Sequence, residues 1–456
     1  MSWKASLIGT VLISVMLAVT ACSSDSSTKE EENWEDGFVE DSITKPVDTD
    51  TIVDKAPEQL DPITLTVHYF SQDDFTLEAL KKAAAGYKAS HPEVSVEWKL
   101  HLRTQPVKLA ELIEPGEAQD LYWVEIPEDL QDFVKDGLVQ DLSSYQGEFG
   151  SDAYYASLAS SLMIDGGTYG FPITNDTELI YYNKNLVTGD AVPTLDWTYE
   201  DMIHSVKTVM KEKQLRVGLE QGARLLLPAG QSYGGEPLNE EQTKLVLDTS
   251  FRQGLSLMLS ALKTDEIGGQ DAVADDFVIH FNEGNIPMMV GHSQQLKILL
   301  SSMSDVDVAP FPAGPMKQQG IGNVGALAVS KKSEHSDKAI EFAQYMSGSE
   351  EANIVYATEH VTMPLLLTDK VREAWRNSFK DPTLADRLAY IVKTNAGSMY
   401  SKNGEPGYYA AIMRLSILLN DTVRDERSNS LDASFDQELD RINADWALTQ
   451  EEAKKP

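Results

Sequence analysis

The chain has 456 residues, room for two or three domains, and its 42% hydrophobic and 24% charged residues describe a globular protein rather than a disordered one. With 72 acidic against 38 basic side chains the net charge is −34, and the basic residues form no patch beyond pairs such as Lys331-Lys332. A surface of that sign excludes nucleic acid and anionic lipid headgroups as partners. The single cysteine, Cys22, excludes an intrachain disulfide, a zinc–thiolate cluster and an iron–sulfur centre.

The first segment is a leader. Lys4 supplies a positive start, and Leu7 to Val19 is apolar over roughly thirteen residues, too short to span a bilayer but the right length for a signal-peptide core. It ends in Val19-Thr20-Ala21-Cys22, which resembles the lipobox of bacterial lipoproteins. That resemblance implies cleavage before Cys22 and lipidation of its thiol, with residues 1–22 as the leader. Two or more acyl chains hold a protein durably at a membrane, so the mature chain is expected to be anchored, not spanning. From Ser23 to Asp61 there are 13 acidic and 3 basic residues with few apolar side chains, a composition that predicts an extended tether over 23–61.

At Pro62 the pattern changes. Ile63, Leu65, Val67 and Tyr69 alternate as in a strand. Leu77, Leu80, Ala84 and Tyr87 fall at helical spacing over 75–90, and Val94, Val96, Trp98 and Leu100 alternate again. Strand, helix and strand on short links predict a βαβ unit and a parallel sheet. Residues 178–183 read as a strand, 199–213 as a helix, and 240–263 as a helix with Leu247, Phe251, Leu255, Met258 and Leu262 on its apolar face. Gly325–Ser330 reads as a strand, followed by a helix from Ser336 burying Ala339, Phe342, Ala343 and Met346. The stretch from Tyr408 to Trp446 is mostly helical by pattern, and no repeat of 20–50 residues is present. The fold class is α/β.

Four segments in this order resemble the extracellular solute-binding proteins of family 1, the sugar-capturing lipoproteins of ABC importers. They are Asp120-Leu-Tyr-Trp123-Val, Tyr169-Gly-Phe-Pro172 through Asn183-Lys, Phe281-Asn-Glu-Gly284 through Gly291, and Gly322-Asn-Val-Gly325 leading into Lys331-Lys332-Ser. The resemblance covers about residues 62–450. It implies a two-lobed fold of the type II periplasmic-binding-protein kind, with a hinge of three crossings and a ligand cleft between the lobes. The N-terminal lobe would comprise 62–172 plus 312–361 and the C-terminal lobe 173–311 plus 362–450, with crossings near Pro172–Asp176, Ala309–Pro312 and Val361–Pro364. The function implied is capture of a sugar or oligosaccharide by lobe closure and delivery to the permease subunits of an ABC importer. The protein is then expected as a monomer on the extracellular face of the bacterial cell membrane. A binding protein serving a sugar sensor is the related alternative.

Sugars present hydroxyl edges to carboxylates and amides and C–H faces to aromatic rings. Carried over from the family, the candidate ligand-binding residues are Phe70, Asp73, Trp123, Asn175, Asp176, Gln294, Tyr408 and Tyr409. One departure stands out: after Gly291, where the family often has tryptophan, the chain reads His292-Ser293-Gln294-Gln295.

Two motifs point elsewhere. Gly230-Gln-Ser232-Tyr-Gly234 matches the G-x-S-x-G elbow of serine hydrolases, but Pro228 before it and Gly235-Glu-Pro237 after it predict a glycine-rich turn. A surface hydrolase using Ser232 is nevertheless the competing enzyme class; otherwise no catalytic residue is assigned. Gly320-Ile-Gly322-Asn-Val-Gly325 matches G-x-G-x-x-G, yet a strand rather than a helix follows it, so no nucleotide site and no cofactor are expected. The eight histidines show no i, i+4 pair or His-rich loop, and Asp305 and Asp307 read as surface carboxylates, so no metal site is expected either.

Overall fold

The computed structural model describes residues 61–71, 75–102, 109–125, 127–148, 158–213, 223–263, 277–360, 363–396, 407–424 and 431–453. The expected leader, Cys22 and nearly all of the expected tether lie outside these residues. Two units divide the chain, Met1–Gln59 and Leu60–Pro456, and the second holds every element below.

The βαβ unit forms where the alternation sets it. β1 (Ile63–Ser71) is followed by α1 (Phe75–Ser90) and β2 (Val94–Leu102), and the two strands pair in parallel from Ile63↔Val94 to Ser71↔Leu102. β3 (Leu121–Val124) lies parallel on the other side of β1 and α2 (Pro127–Lys135) follows it. A two-residue hairpin, β4 (Met163–Ile164) and β5 (Gly167–Thr168), turns through Asp165 and Gly166 at positive φ. The longest strand, β6 (Phe171–Asn183), comes next.

The helices α3 (Tyr199–Lys213), α4 (Ala223–Ser232), α5 (Thr249–Lys263) and α6 (Phe277–Asn282) precede β7 (Met288–His292), α7 (Gln295–Ser302) and β8 (Val306–Ala309). β9 (Gly322–Val329) leads into α8 (Ser336–Gly348) and α9 (Glu350–Val355). Four helices complete the described chain: α10 (Asp369–Asn377), α11 (Pro382–Ala396), α12 (Tyr408–Arg424) and α13 (Ala433–Ala453). No helix among the described residues is long and apolar enough to cross a membrane.

Among the described residues seven strands form one curled sheet in the order β2-β1-β3-β9-β6-β7, with β8 also paired to β6, and β4 and β5 form a separate two-stranded sheet. β6 is the pivot. Its first half, Phe171–Thr177, runs antiparallel to β9, and its second half, Glu178–Asn183, lies between β7 and β8. The pairing with β9 shifts register between Pro172 and Thr174, as expected where proline cannot donate to the ladder.

Period-two alternation sorts side chains between the faces. Leu65, Val67, Tyr69, Leu121, Trp123, Leu327 and Val329 pack under α1 and α8, whose Leu80, Phe342, Ala343 and Met346 are sealed from solvent. Tyr122, Val124, Ala326 and Ala328 point the other way. They share one core with Leu179, Tyr181, Met289 and Leu388, so that cluster spans both halves of the sheet. Ile180 and Tyr182 face a third core built by α3, α4, α5, α12 and α13.

Four expectations are corrected. The helix expected over 240–263 begins only at Thr249, because the Asp248 carboxylate accepts the N–H of Phe251 and caps it there, while Leu247 sits at positive φ yet stays buried. Asp307 is no surface carboxylate: it is buried, accepts the Tyr182 hydroxyl at 2.8 Å and lies 3.7 Å from Arg387. The segment after β8 does not cross at Ala309–Pro312. Phe311 joins the third core, Ala313 N–H donates to Trp197 O, and the Gln318 amide donates to Leu195 O and Phe311 O, so the chain enters β9 only at Gly322. Of the expected crossing Val361–Pro364, residues 361 and 362 lie outside the described chain, and Met363 is buried in the shared core.

The fourth concerns Ser232. It does not sit in a glycine-rich turn but ends α4, a helix that accommodates Pro228 internally. The glycines around it serve close packing. A Cβ on Gly254 of α5 would lie 2.2 Å from Ala229 O, and one on Gly235 would lie 2.1 Å from Phe251 N. The two helices therefore touch backbone to backbone, as only glycine permits.

Candidate functional site

The polar residues that the two halves of the sheet bring together lie at the middle of β6. Sequence alternation sends Asn175 and Thr177 to one face and Asp176 to the other, while the end of β7 delivers His292 opposite Glu178. The chain then turns through Ser293 and Gln294 into α7.

Asp176 holds this corner. Its Oδ2 accepts from His292 Nδ1 at 2.6 Å and its Oδ1 from Ser293 Oγ at 3.0 Å, with the Gln294 N–H as a further donor. Because an ionised carboxylate only accepts, the His292 proton in this contact sits on Nδ1. Burial opposes the charge on Asp176, but the His292 ring and the Ser293 and Gln294 donors outweigh it and hold the carboxyl below the usual range. The acid also faces the first turn of α7, where a negative charge is favoured.

On the neighbouring face, Thr177 N–H donates to Ser293 Oγ and Thr177 Oγ1 to Ile321 O. Asn395 of α11 donates through Nδ2 to Thr177 Oγ1 at 2.6 Å and to Glu178 O at 3.1 Å. Tyr181 closes the set by donating its hydroxyl to His292 O at 2.6 Å, and Gln295 Oε1 accepts the His292 N–H. β6, β7, the approach to β9 and α11 are thus tied by side chains far apart in sequence. Such a corner can orient hydroxyl-recognising groups and can couple the halves of the sheet. It contains no activated nucleophile.

The eight expected ligand residues separate in space. Asp176 and Gln294 meet at this corner through the Gln294 N–H, while Asn175, next to Asp176 on β6, is buried on the other face of the strand. Phe70 does not join them; it is buried with its ring 5.9 Å from Phe133 and 5.0 Å from His101. Trp123, read as a cleft aromatic, is only 1% exposed, stacked 5.8 Å from Tyr69 in the core under α1 and α8. Gly325 makes room for it, since a Cβ there would lie 2.6 Å from the indole. Among the described residues the indole N–H has no hydrogen-bond partner. Tyr408 packs on Trp446 in the third core. Asp73 and the Tyr409 side chain lie outside the described residues.

His292, Ser293, Thr177 and Asn395 carry the corner and were not among the expected residues. The first two occupy the very place where tryptophan was missing after Gly291, which was the available signal; nothing in the sequence singles out Asn395.

Ser232 cannot act as a hydrolase nucleophile in this arrangement. It is fully buried, is the last residue of a helix instead of following a strand, and donates its hydroxyl to Ala229 O at 2.8 Å. A separate groove of about 340 Å³ lies between α3 and α5, lined by Glu200, His204, Lys207 and Leu257 among others. It is a seam between two helices of the third core and shares no residue with the corner.

Residues 75–353 match the profile of a family described as bacterial extracellular solute-binding protein. A binding protein of Brucella abortus is 26% identical over 286 residues, spanning 58% of this chain and 67% of the relative. Among solved structures, an ABC substrate-binding protein from Listeria monocytogenes in complex with cycloalternan superposes with a TM-score of 0.69 at 18% identity, covering 85% of this chain and 99% of that one. The sugar-binding protein MalE from Xanthomonas citri gives 0.68 at 16% identity over 86% and 100%. The GacH receptor of Streptomyces glaucescens, solved unliganded and with acarbose, gives 0.67 at 18% over 86% and 99%. At these identities the likeness establishes the fold, a two-lobed α/β binding-protein architecture.

Proposed function

The chain belongs to the bacterial extracellular solute-binding proteins, and from that premise we propose that it captures a sugar or oligosaccharide by closing two lobes around it and hands it to the permease of an ABC importer. The observation that carries this reading is the double pairing of β6. One strand serves both halves of the sheet and sets Asn175 and Asp176 where they meet. Ligand contacts made from both halves at such a place favour the closed arrangement, and only that differential contact shifts the population.

The carbohydrates named with two of these structures, cycloalternan and acarbose, favour a saccharide over a peptide or a metal ion. A neutral ligand is also indifferent to the −34 charge. The contacts we assign are Asn175, Gln294 and the His292–Asp176 pair, with lobes joined near 172–176, 320–322 and 361–364. Cys22 would carry the lipid that keeps the protein at the outer face of the membrane, with the acidic 23–61 segment as spacer.

The test is a thermal-unfolding scan of the chain against mono- and oligosaccharides. A ligand at 100 times its Kd stabilises by about 2.7 kcal/mol, a shift of roughly 3 °C for a body of this size. A response confined to one glycan class, lost in Gln294→Ala, supports the proposal. No response to any saccharide together with a response to amino acids or peptides overturns it.

A further inference from the structure

We propose that His68, His101 and Glu117 form a binding site for one transition-metal ion of the Zn²⁺ class, on the edge of the sheet and independent of the solute site. Parallel pairing creates it. His68 on β1 lies opposite Lys99 and His101 on β2 opposite Phe70, so the imidazoles are diagonal neighbours on one face of the sheet. The loop before β3 lays Glu117 over them, and one ligand atom from each of the three lies within 4.8 Å of the others.

The hydrogen bonding is that of a preformed ligand pair. His68 Nε2 donates to Ala118 O at 2.8 Å, which leaves Nδ1 as the lone-pair nitrogen, and that atom faces His101 Nε2 at 2.8 Å. The other nitrogen of His101 is bonded to the backbone of Leu112. Metal-ligating histidines characteristically donate their remote N–H to a carbonyl in this way, which fixes the tautomer and aims the ring. The two ring nitrogens that face each other are thus the ones left for a ligand.

Four-coordinate Zn²⁺ at about 2.05 Å from each nitrogen needs a nitrogen–nitrogen separation of about 3.3 Å, an opening of about half an ångström. His68 is sealed in the sheet, whereas His101 sits partly exposed on the edge strand and can yield. Glu117 supplies the third ligand; its Oε2 already accepts the Glu114 N–H, and its Oε1 makes only a 3.9 Å contact with Lys99, which is held more tightly by Glu97 at 2.8 Å. Two nitrogens and one carboxylate suit zinc and its neighbours, not Ca²⁺ or Mg²⁺, which take oxygen. The ion would tie the exposed edge strand β2 to the loop that covers it.

The experiment is calorimetric titration of the metal-stripped chain with Zn²⁺, with Ca²⁺ as control, and absorption spectroscopy with Co²⁺ to read ligand geometry. The expected result is one Zn²⁺ per chain, visible Co²⁺ bands of a four-coordinate site, and no Ca²⁺ heat. His101→Phe keeps the ring stack on Phe70 and removes a ligand, so it should abolish the strong site; Glu117→Gln should weaken it by roughly 10-fold or more. Apo melting curves matching the parent confirm that both variants fold. A parent that takes up no Zn²⁺, or a His101→Phe variant that binds it with parental stoichiometry and affinity, overturns the proposal. Neither outcome bears on sugar binding.

Discussion

Removing the Asp176 carboxylate tests whether the corner of β6 and β7 is held by charge. In Asp176→Ala three donors lose their acceptor: His292 Nδ1 at 2.6 Å, Ser293 Oγ at 3.0 Å and the Gln294 N–H. Hydrogen bonds to a charged group are worth about 1.5–3 kcal/mol each, and breaking a fully buried pair costs about 3–5 kcal/mol. Here the His292 and Asp176 side chains keep 26% and 15% of their exposure, so water recovers part of the loss and about 3 kcal/mol is expected. Asp176→Asn keeps an acceptor for Ser293 but no charge opposite His292, and should cost about 1–2 kcal/mol. The pH dependence follows from the depressed carboxyl: the stabilisation is fully present above the unfolded value of about 3.9 and is lost as pH falls through the lower folded value. The gap between parent and Asp176→Asn, measured by denaturant unfolding, should therefore be widest near neutrality and close on acidification below pH 4. An Asp176→Ala variant within 0.5 kcal/mol of the parent at pH 7, or a gap that stays constant down to pH 3, refutes the reasoning.

Two further outcomes are expected. Gly254→Ala should destabilise by about 2 kcal/mol in denaturant unfolding although alanine is favoured over glycine in a helix by about 1 kcal/mol, because the new Cβ meets the Ala229 carbonyl at 2.2 Å and the helix backbones must part; a stabilised variant would show that α4 and α5 are not in backbone contact. Ser232→Ala removes one internal hydrogen bond and should cost no more than about 1 kcal/mol, leave any saccharide response unchanged, and match a native parent that a serine-directed fluorophosphonate does not label.

Local pattern by itself determined a good deal. The alternation at Ile63–Tyr69 and Val94–Leu100 and the helical spacing between them dictated a parallel βαβ unit, because a half-buried strand and an amphipathic helix each have one period. The helices at Tyr199–Lys213 and from Ser336 began where the sequence placed them. The four ordered segments, which resemble family 1 solute-binding proteins, identified the family.

What only the tertiary structure decided depends on register and on contacts between distant residues. Alternation says that Trp123 and Tyr122 point to opposite faces but not that both faces are sealed: α1 and α8 cover the indole, and the core shared by the two halves of the sheet covers Tyr122. Asp176 meets its partner His292 across 116 residues and Thr177 meets Asn395 across 218, separations at which no local signal survives. No i, i+4 spacing along the sequence brings two histidines together. Sheet pairing instead made neighbours of His68 and His101, 33 residues apart, since a parallel register joins residues that a whole helix separates.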